Sequence, residues 1–199
     1  MQNTVTVVIG RKGSGKSTIV REIVADYPRV MVLDSLAEYD DCDVVEEDDC
    51  PEALLKASGQ SKFRIACRCL GLEDNLDLMR IAYEMPPKTL IVIEEASLYA
   101  SPTHLPDEMA ALIRYGRHRE LDLVFVARRP SELHRDVTAN ADVLVTFQTQ
   151  EPRDIMYLRS FYGDEALTLP TLPLYHIKVF GDLSKAPGPV LHRLAQQRD

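Results

Sequence analysis

The sequence has no Cys-x-x-Cys pair, no internal repeat, no low-complexity tract and no apolar run long enough to enter a membrane. Its four cysteines, Cys42, Cys50, Cys67 and Cys69, therefore lack the spacing shared by structural zinc sites and dithiol redox motifs. Cys67 and Cys69, in "FRIACRC", fall on one face of a strand and read as reduced structural thiols. "TLIVI" at 89–93 is far short of the about 20 residues that a membrane-spanning helix needs. The first residues lead into a β-branched segment, not a basic and then apolar signal, so the expected location is the cytoplasm.

Lysine and arginine are also missing from residues 34 to 52, "DSLAEYDDCDVVEEDDCPE", which hold ten acidic residues. The net charge of −8 would exclude a polyanionic partner if it were spread evenly. Setting those ten charges aside leaves the rest of the chain at +2, with basic clusters in "RYGRHRE" and "ARRPSELHR". The acidic run itself reads as a solvated loop.

What the sequence does have is "VVIGRKGSGKSTIV" at 7–20. Gly10, Arg11, Lys12, Gly13, Ser14, Gly15, Lys16 and Ser17 fit the P-loop spacing at every position, with Thr18 following. Backbone N–H groups of such a turn, at the positive end of a new helix, converge on phosphate oxygens. Lys16 would reach the β- and γ-phosphates of ATP, and Ser17 would ligate Mg²⁺. The context agrees: "TVTVVI" is strand-like, and Ile19, Ile23 and Val24 recur at helical spacing.

Beyond the P-loop, apolar runs alternate with helical patterns. "RVMVLD", "KFRIAC", "KTLIVIEEA", "LDLVFVA" and "DVLVTFQ" read as strands, with helices over "NLDLMRIAYEM", "PDEMAALIRYGRH" and "PRDIMYLRSFYG". Late strands are expected in "LPLYHIKVF" and in "PVLHRL". This order predicts an α/β fold, a mainly parallel sheet flanked by helices, with active groups at the carboxyl ends of its strands. At 199 residues, 45% hydrophobic and 27% charged, one domain over residues 1–199 is expected.

Glu94 and Glu95 emerge where the strand "TLIVI" ends. Successive strand residues face opposite ways, so the two carboxylates are expected to have different roles. Glu94 is assigned to Mg²⁺ and Glu95 to orienting the attacking water. Acidic residues also favour a helix start, which is the plainer account of the pair. A glutamate placed to recruit water favours a hydrolase over a small-molecule or nucleotide kinase, which must exclude water. "RRPSELHR" is the segment that could serve a kinase as a lid. A non-hydrolytic nucleotide switch or assembly adaptor is the third reading.

The ordered set of motifs resembles the FtsK–HerA superfamily of DNA-pumping ATPases. "VMVLDSLAEYD" is similar to the segment after the family's second strand, with Asp34 followed by Glu38 and Tyr39. "GRHRELDLVFVARRPSELHRDVTANADVLVTFQTQEPRD" resembles the family's later block. The resemblance implies a P-loop NTPase of the RecA-like, additional-strand catalytic-glutamate type. Arg128 stands where the family usually has a γ-phosphate-sensing Gln, and Glu94 where it commonly has Asp. Arg128 can keep a sensing role through a charged contact or be a solvated surface arginine.

By compactness the chain is most similar to genome-packaging ATPases of tailless, membrane-containing viruses. That implies a homo-oligomeric ring around DNA, contacts to the DNA backbone without sequence preference, and docking to a capsid or virion-membrane protein at a virion vertex. "RRPSELHR" and residues 96–106 are candidate DNA-contacting loops. Arg117 first, and Arg114 second, are candidates to complete a neighbouring subunit's site in such a ring. Capping the helix C-terminus or contacting DNA phosphates are the alternatives for both.

Overall fold

The structure, a computed structural model, describes residues 3–187. Eight strands form one sheet in the order β3-β4-β2-β5-β6-β1-β7-β8. They are β1 (Val5–Ile9), β2 (Arg29–Leu33), β3 (Asp43–Glu46), β4 (Phe63–Arg68), β5 (Leu90–Ile93), β6 (Asp122–Ala127), β7 (Val143–Phe147) and β8 (Ile177–Gly181). Every pairing is parallel except β7 with β8. The helices are α1 (Lys16–Ala25), α2 (Cys50–Ser58), α3 (Leu72–Tyr83), α4 (Asp107–Tyr115), α5 (Arg135–Ala139) and α6 (Pro152–Tyr162).

The central strands are mostly apolar because both faces are covered. Val7, Ile9, Leu33, Ile91, Ile93 and Phe125 pack with Leu78, Met79, Met109 and Leu112 of α3 and α4. Val8, Val32, Val92, Val124 and Val145 pack on the other face with Ile19, Val20, Ile23 and Val24 of α1. Cys67 and Cys69 share the first of these clusters with Cys50, whose Sγ lies 3.8 Å from that of Cys69.

Register places the functional loops at one rim. Ile9 pairs with Ala127, Ile93 with Phe125 and Leu33 with Ile93. The ladder runs one residue further, Gly10 N–H donating to Ala127 O at 3.2 Å and Glu94 N–H to Leu33 O at 3.2 Å. The chain therefore leaves β1, β2, β5 and β6 side by side at their carboxyl ends, where α/β sheets bind ligands.

Four sequence expectations are corrected. The acidic run is not all loop: it contains the edge strand β3, a 3₁₀ turn at Glu47–Asp49 and the start of α2. Acids suit an exposed sheet edge because they oppose pairing with another chain, while Val45 packs inward. The helix expected to continue through His118 stops at Tyr115, and Gly116–Arg119 form a 3₁₀ turn. Gly116 is a weak helix former, and its carbonyl accepts from Leu121 N–H at 3.1 Å as the chain turns into β6. "LPLYH" is not strand: Pro170 and Pro173 donate no ladder bonds, and β8 begins only at Ile177. The segment 96–106, expected to be poorly structured, is partly ordered by a 3₁₀ turn at Ala96–Leu98 and a Ser101–His104 bridge. The expected strand in "PVLHRL" lies outside the described residues.

Candidate active site

The P-loop turn needs its glycines for two reasons. Gly13 and Gly15 sit at φ +76° and +107°, in the left-handed region that side chains disfavour. Gly10 is excluded from bearing a side chain by space: a Cβ there would meet Ser14 Oγ at 2.5 Å and the Phe147 ring at 2.9 Å. The first N–H donated within α1 is that of Ile19, to Gly15 O at 3.2 Å. The N–H groups of Lys16, Ser17 and Thr18 thus point out of the helix start without an intrahelical acceptor, as an anion site requires.

Asp34, at the end of β2, shapes the next loop. Its carboxylate accepts from Glu38 N–H at 2.8 Å and from Tyr39 N–H at 3.2 Å, and Ala37 takes φ +53° to close the turn. The turn aims two side chains in opposite senses. The Glu38 carboxylate accepts from the Ser17 hydroxyl at the head of α1. The Tyr39 phenol, fully buried, donates to Glu94 Oε1 at 2.5 Å.

Glu94 is 2% exposed, and burial pushes its carboxyl up to about 7. The nearby Glu38 raises it further, whereas the bond from Tyr39, the Glu95 N–H and Lys16 act the other way. The ammonium of Lys16 is lowered by its own burial, against the pull of Glu94, Glu95 and Glu38. Lys16 Nζ donates to Arg11 O at 3.4 Å. Such a cluster, several carboxylates around one half-buried lysine, is short of positive charge and suits a bound cation.

The two glutamates do not alternate across a strand as expected. β5 ends at Ile93, and Glu95 adopts φ +43°, so both carboxylates reach the same cleft. They are separated by their partners instead: Glu94 by Tyr39, and Glu95 by Arg128, whose Nε lies 3.1 Å from Glu95 Oε2. The cleft, ≈ 620 Å³, also takes in Lys12, Gly13, Gly15, Lys16, Ser17, Thr18 and Glu38. Ser17, Glu38 and Glu94 supply hard oxygen donors beside a phosphate turn, a set that fits Mg²⁺ shared with phosphate oxygens. No group of three His, Cys, Asp or Glu among the described residues makes an all-protein cage.

The structure separates the other arginines from this cleft. Arg114 pairs with Asp136 at 2.8 Å. Arg114 and Arg117 line a pocket of ≈ 760 Å³ with Asn3, Val5, Asn140 and Asp142, at the amino ends of β1 and β7. That is the rim opposite the P-loop. "RRPSELHR" is packed down: Pro130, Ser131 and Leu133 are buried. Arg129 donates to buried Asp154 at 2.9 Å, and Arg135 lies over the Phe161 ring at 4.7 Å.

Sequence reasoning singled out Glu38 only as part of the family-like segment with Asp34 and Tyr39 and gave it no role at the site; Asp34, four residues before it, holds its N–H and directs it there.

Neither a protein-family model nor a curated protein sequence matches the chain. Solved structures do. The genome-packaging NTPase B204 of Sulfolobus turreted icosahedral virus 2, in complex with AMP, superposes with a TM-score of 0.76 at 20% identity. The match covers 92% of this chain and 95% of that one. The fold is that of a P-loop NTPase. B204 from Sulfolobus turreted icosahedral virus, described as a DNA-packaging ATPase, gives a TM-score of 0.71 at 22% identity over 94% and 96% of the two chains. The pCW3 conjugation coupling protein TcpA, with ATPγS, gives 0.56 at 14% identity, covering 99% of this chain and 66% of TcpA. The chain thus shares its architecture with a packaging protein nearly end to end.

Proposed function

We propose that the chain is a Mg²⁺-dependent ATPase that drives DNA translocation, in the packaging of a viral genome into a capsid. The observation that carries the reading is the convergence of Lys16, Ser17, Glu38, Glu94, Glu95 and Arg128 on one cleft at the P-loop. The packaging NTPase B204, similar over nearly its whole length and solved with ATPγS and AMPPCP, supports it. Lys16 and the backbone from Gly10 to Thr18 hold the phosphates, and Ser17, Glu38 and Glu94 hold the cation. Bound Mg²⁺ neutralises charge on the phosphate oxygens. Glu95, braced by Arg128, orients a water for in-line attack, and Lys16 stabilises the transferring phosphoryl group.

A kinase reading loses its support. The segment that could close as an arginine lid is tied to buried Asp154.

DNA contact is expected through the backbone and without base preference, from several subunits whose weak contacts add by effective concentration. Arg117 and Arg114, on the far rim, are free of their own subunit's cleft and suit a neighbour's site in a ring. The partners proposed are DNA, further copies of the chain and a capsid or virion-membrane protein, in a host cytoplasm or at a virion vertex. No helix among the described residues is long and apolar enough to cross a membrane.

The test is ATP turnover with Mg²⁺, with and without double-stranded DNA, across protein concentration. Stimulation by DNA with a concentration-dependent onset is expected. No hydrolysis under any of these conditions, or ATP loss only with a phosphorylated acceptor, overturns the proposal.

A further inference from the structure

A groove of ≈ 970 Å³ runs from Ser14 and Gly15 of the P-loop along Thr18, Ile19 and Glu22 of α1 to the segment Leu172–Lys178. It joins the phosphate cleft, because Gly15, Thr18 and Tyr175 line both. Two features of it have no role in phosphate or metal binding. The Ser14 side chain is 8% exposed, yet its Oγ is buried with no hydrogen-bond partner among the described residues. Tyr175, 74% exposed at the junction of groove and cleft, holds φ +64°, a conformation that bulky residues seldom adopt.

The Tyr175 turn is held in this shape. Gln148 Nε2 donates to Pro170 O at 3.1 Å, and His176 N–H donates to Pro173 O at 3.2 Å. Lys178 Nζ bonds Thr168 Oγ1 at 3.1 Å and pairs with Glu165 at 3.3 Å. A braced, strained turn that presents an aromatic ring to solvent is ordered for something to stack on it.

We infer that this groove receives the nucleoside half of the nucleotide, with the Tyr175 ring stacked on the base; the inference rests on the NTPase reading above. A triphosphate anchored at Lys16 and Ser17 must carry its nucleoside out of the cleft. The recess on the other flank of Tyr175 is only ≈ 260 Å³ and is lined by Arg11, Lys12 and Gln148. The larger groove offers Ile19, Leu172 and Leu174 to a base and Glu22 as an acceptor for ribose hydroxyls. Stacking on a tyrosine is tolerant of base identity, so purine nucleotides bind with similar affinity.

The experiment is calorimetric titration of wild type, Tyr175→Ala, Tyr175→Phe and Tyr175→Gly with ATP, GTP and inorganic tripolyphosphate. Loss of stacking should weaken ATP and GTP about 5- to 150-fold in the Ala and Gly variants. Tyr175→Phe should stay near wild type, and tripolyphosphate should bind all four proteins alike. Tyr175→Gly should also raise the melting temperature, since glycine relieves the left-handed strain. Unchanged ATP affinity in Tyr175→Ala, or a parallel loss of tripolyphosphate, overturns the inference and leaves the NTPase reading standing. Wild type that binds neither ligand overturns both.

Discussion

Tyr39, six residues past the end of β2, donates its phenolic hydrogen to Glu94, the residue after the neighbouring strand β5, and both side chains are buried. The bond ties the Asp34 turn to the carboxylate proposed to hold the cation. Tyr39→Phe leaves Glu94 without that donor in a site water barely reaches. The expected stability loss is about 1–3 kcal/mol, measured by denaturant unfolding. Steady-state turnover should fall about 10- to 100-fold with ATP affinity little changed, as when a residue behind a metal ligand is removed. Turnover equal to wild type would show that the bond serves the fold alone.

Lys16 and Glu95 share the cleft, and the roles proposed for them fall at different stages. Lys16→Ala should weaken nucleotide binding and lower turnover by about 10²–10³, through loss of charge stabilisation at the phosphoryl group. Glu95→Gln keeps the residue's size and should bind ATP yet stall cleavage, so that nucleotide recovered from the protein is ATP and not ADP. Because Arg128 braces Glu95, Arg128→Ala should lower turnover while sparing ATP affinity. If Glu95→Gln hydrolyses ATP at the wild-type rate, the water-orienting role is wrong and the non-hydrolytic switch regains ground.

Arg117 lies at the rim opposite its own P-loop, so any catalytic role must be exerted on another subunit. Mixing Lys16→Ala subunits, which keep the arginine, with Arg117→Ala subunits, which keep the P-loop, tests this directly. Restored ATPase activity in the mixture is expected, since an arginine supplied in trans can be worth on the order of 10³-fold or more. A mixture that assembles but stays inactive removes Arg117 from the site, and Arg114→Ala is then tested the same way.

Asp122 opens β6 in a buried position, where it accepts from Thr4 N–H at 2.8 Å and Tyr27 O–H at 3.0 Å. Burial raises its pKa despite these bonds. A carboxylate raised in the folded state favours the protonated fold, so its charge destabilises at neutral pH and is relieved as pH falls through the folded value. Asp122→Asn can keep an acceptor for Thr4 N–H without that charge. It should be more stable than wild type at neutral pH, with the difference shrinking as pH is lowered in parallel thermal scans. A difference that grows on acidification would contradict the sign.

Much of this architecture was legible in the sequence, because local rules dictate it. Glycines at 10, 13 and 15 followed by Lys16 and Ser17 can form one kind of turn, and apolar runs alternating with helical spacing demand a covered parallel sheet. The proximity of Glu94, Arg128 and the P-loop followed from strand ends meeting at one rim. What the sequence could not decide was direction. Glu95 reaches the same cleft as Glu94 because its backbone turns to φ +43° after the strand has ended, which period-two alternation does not foresee. Glu38 is marked in the sequence only as part of the family-like segment, and its role appears when the Asp34 carboxylate, by capturing two backbone N–H groups, turns it onto Ser17. Tyr175 carries no motif at all. Its place beside the P-loop arises because β8 returns antiparallel to β7, and a long-range pairing of that kind leaves no local imprint on the residues it brings together.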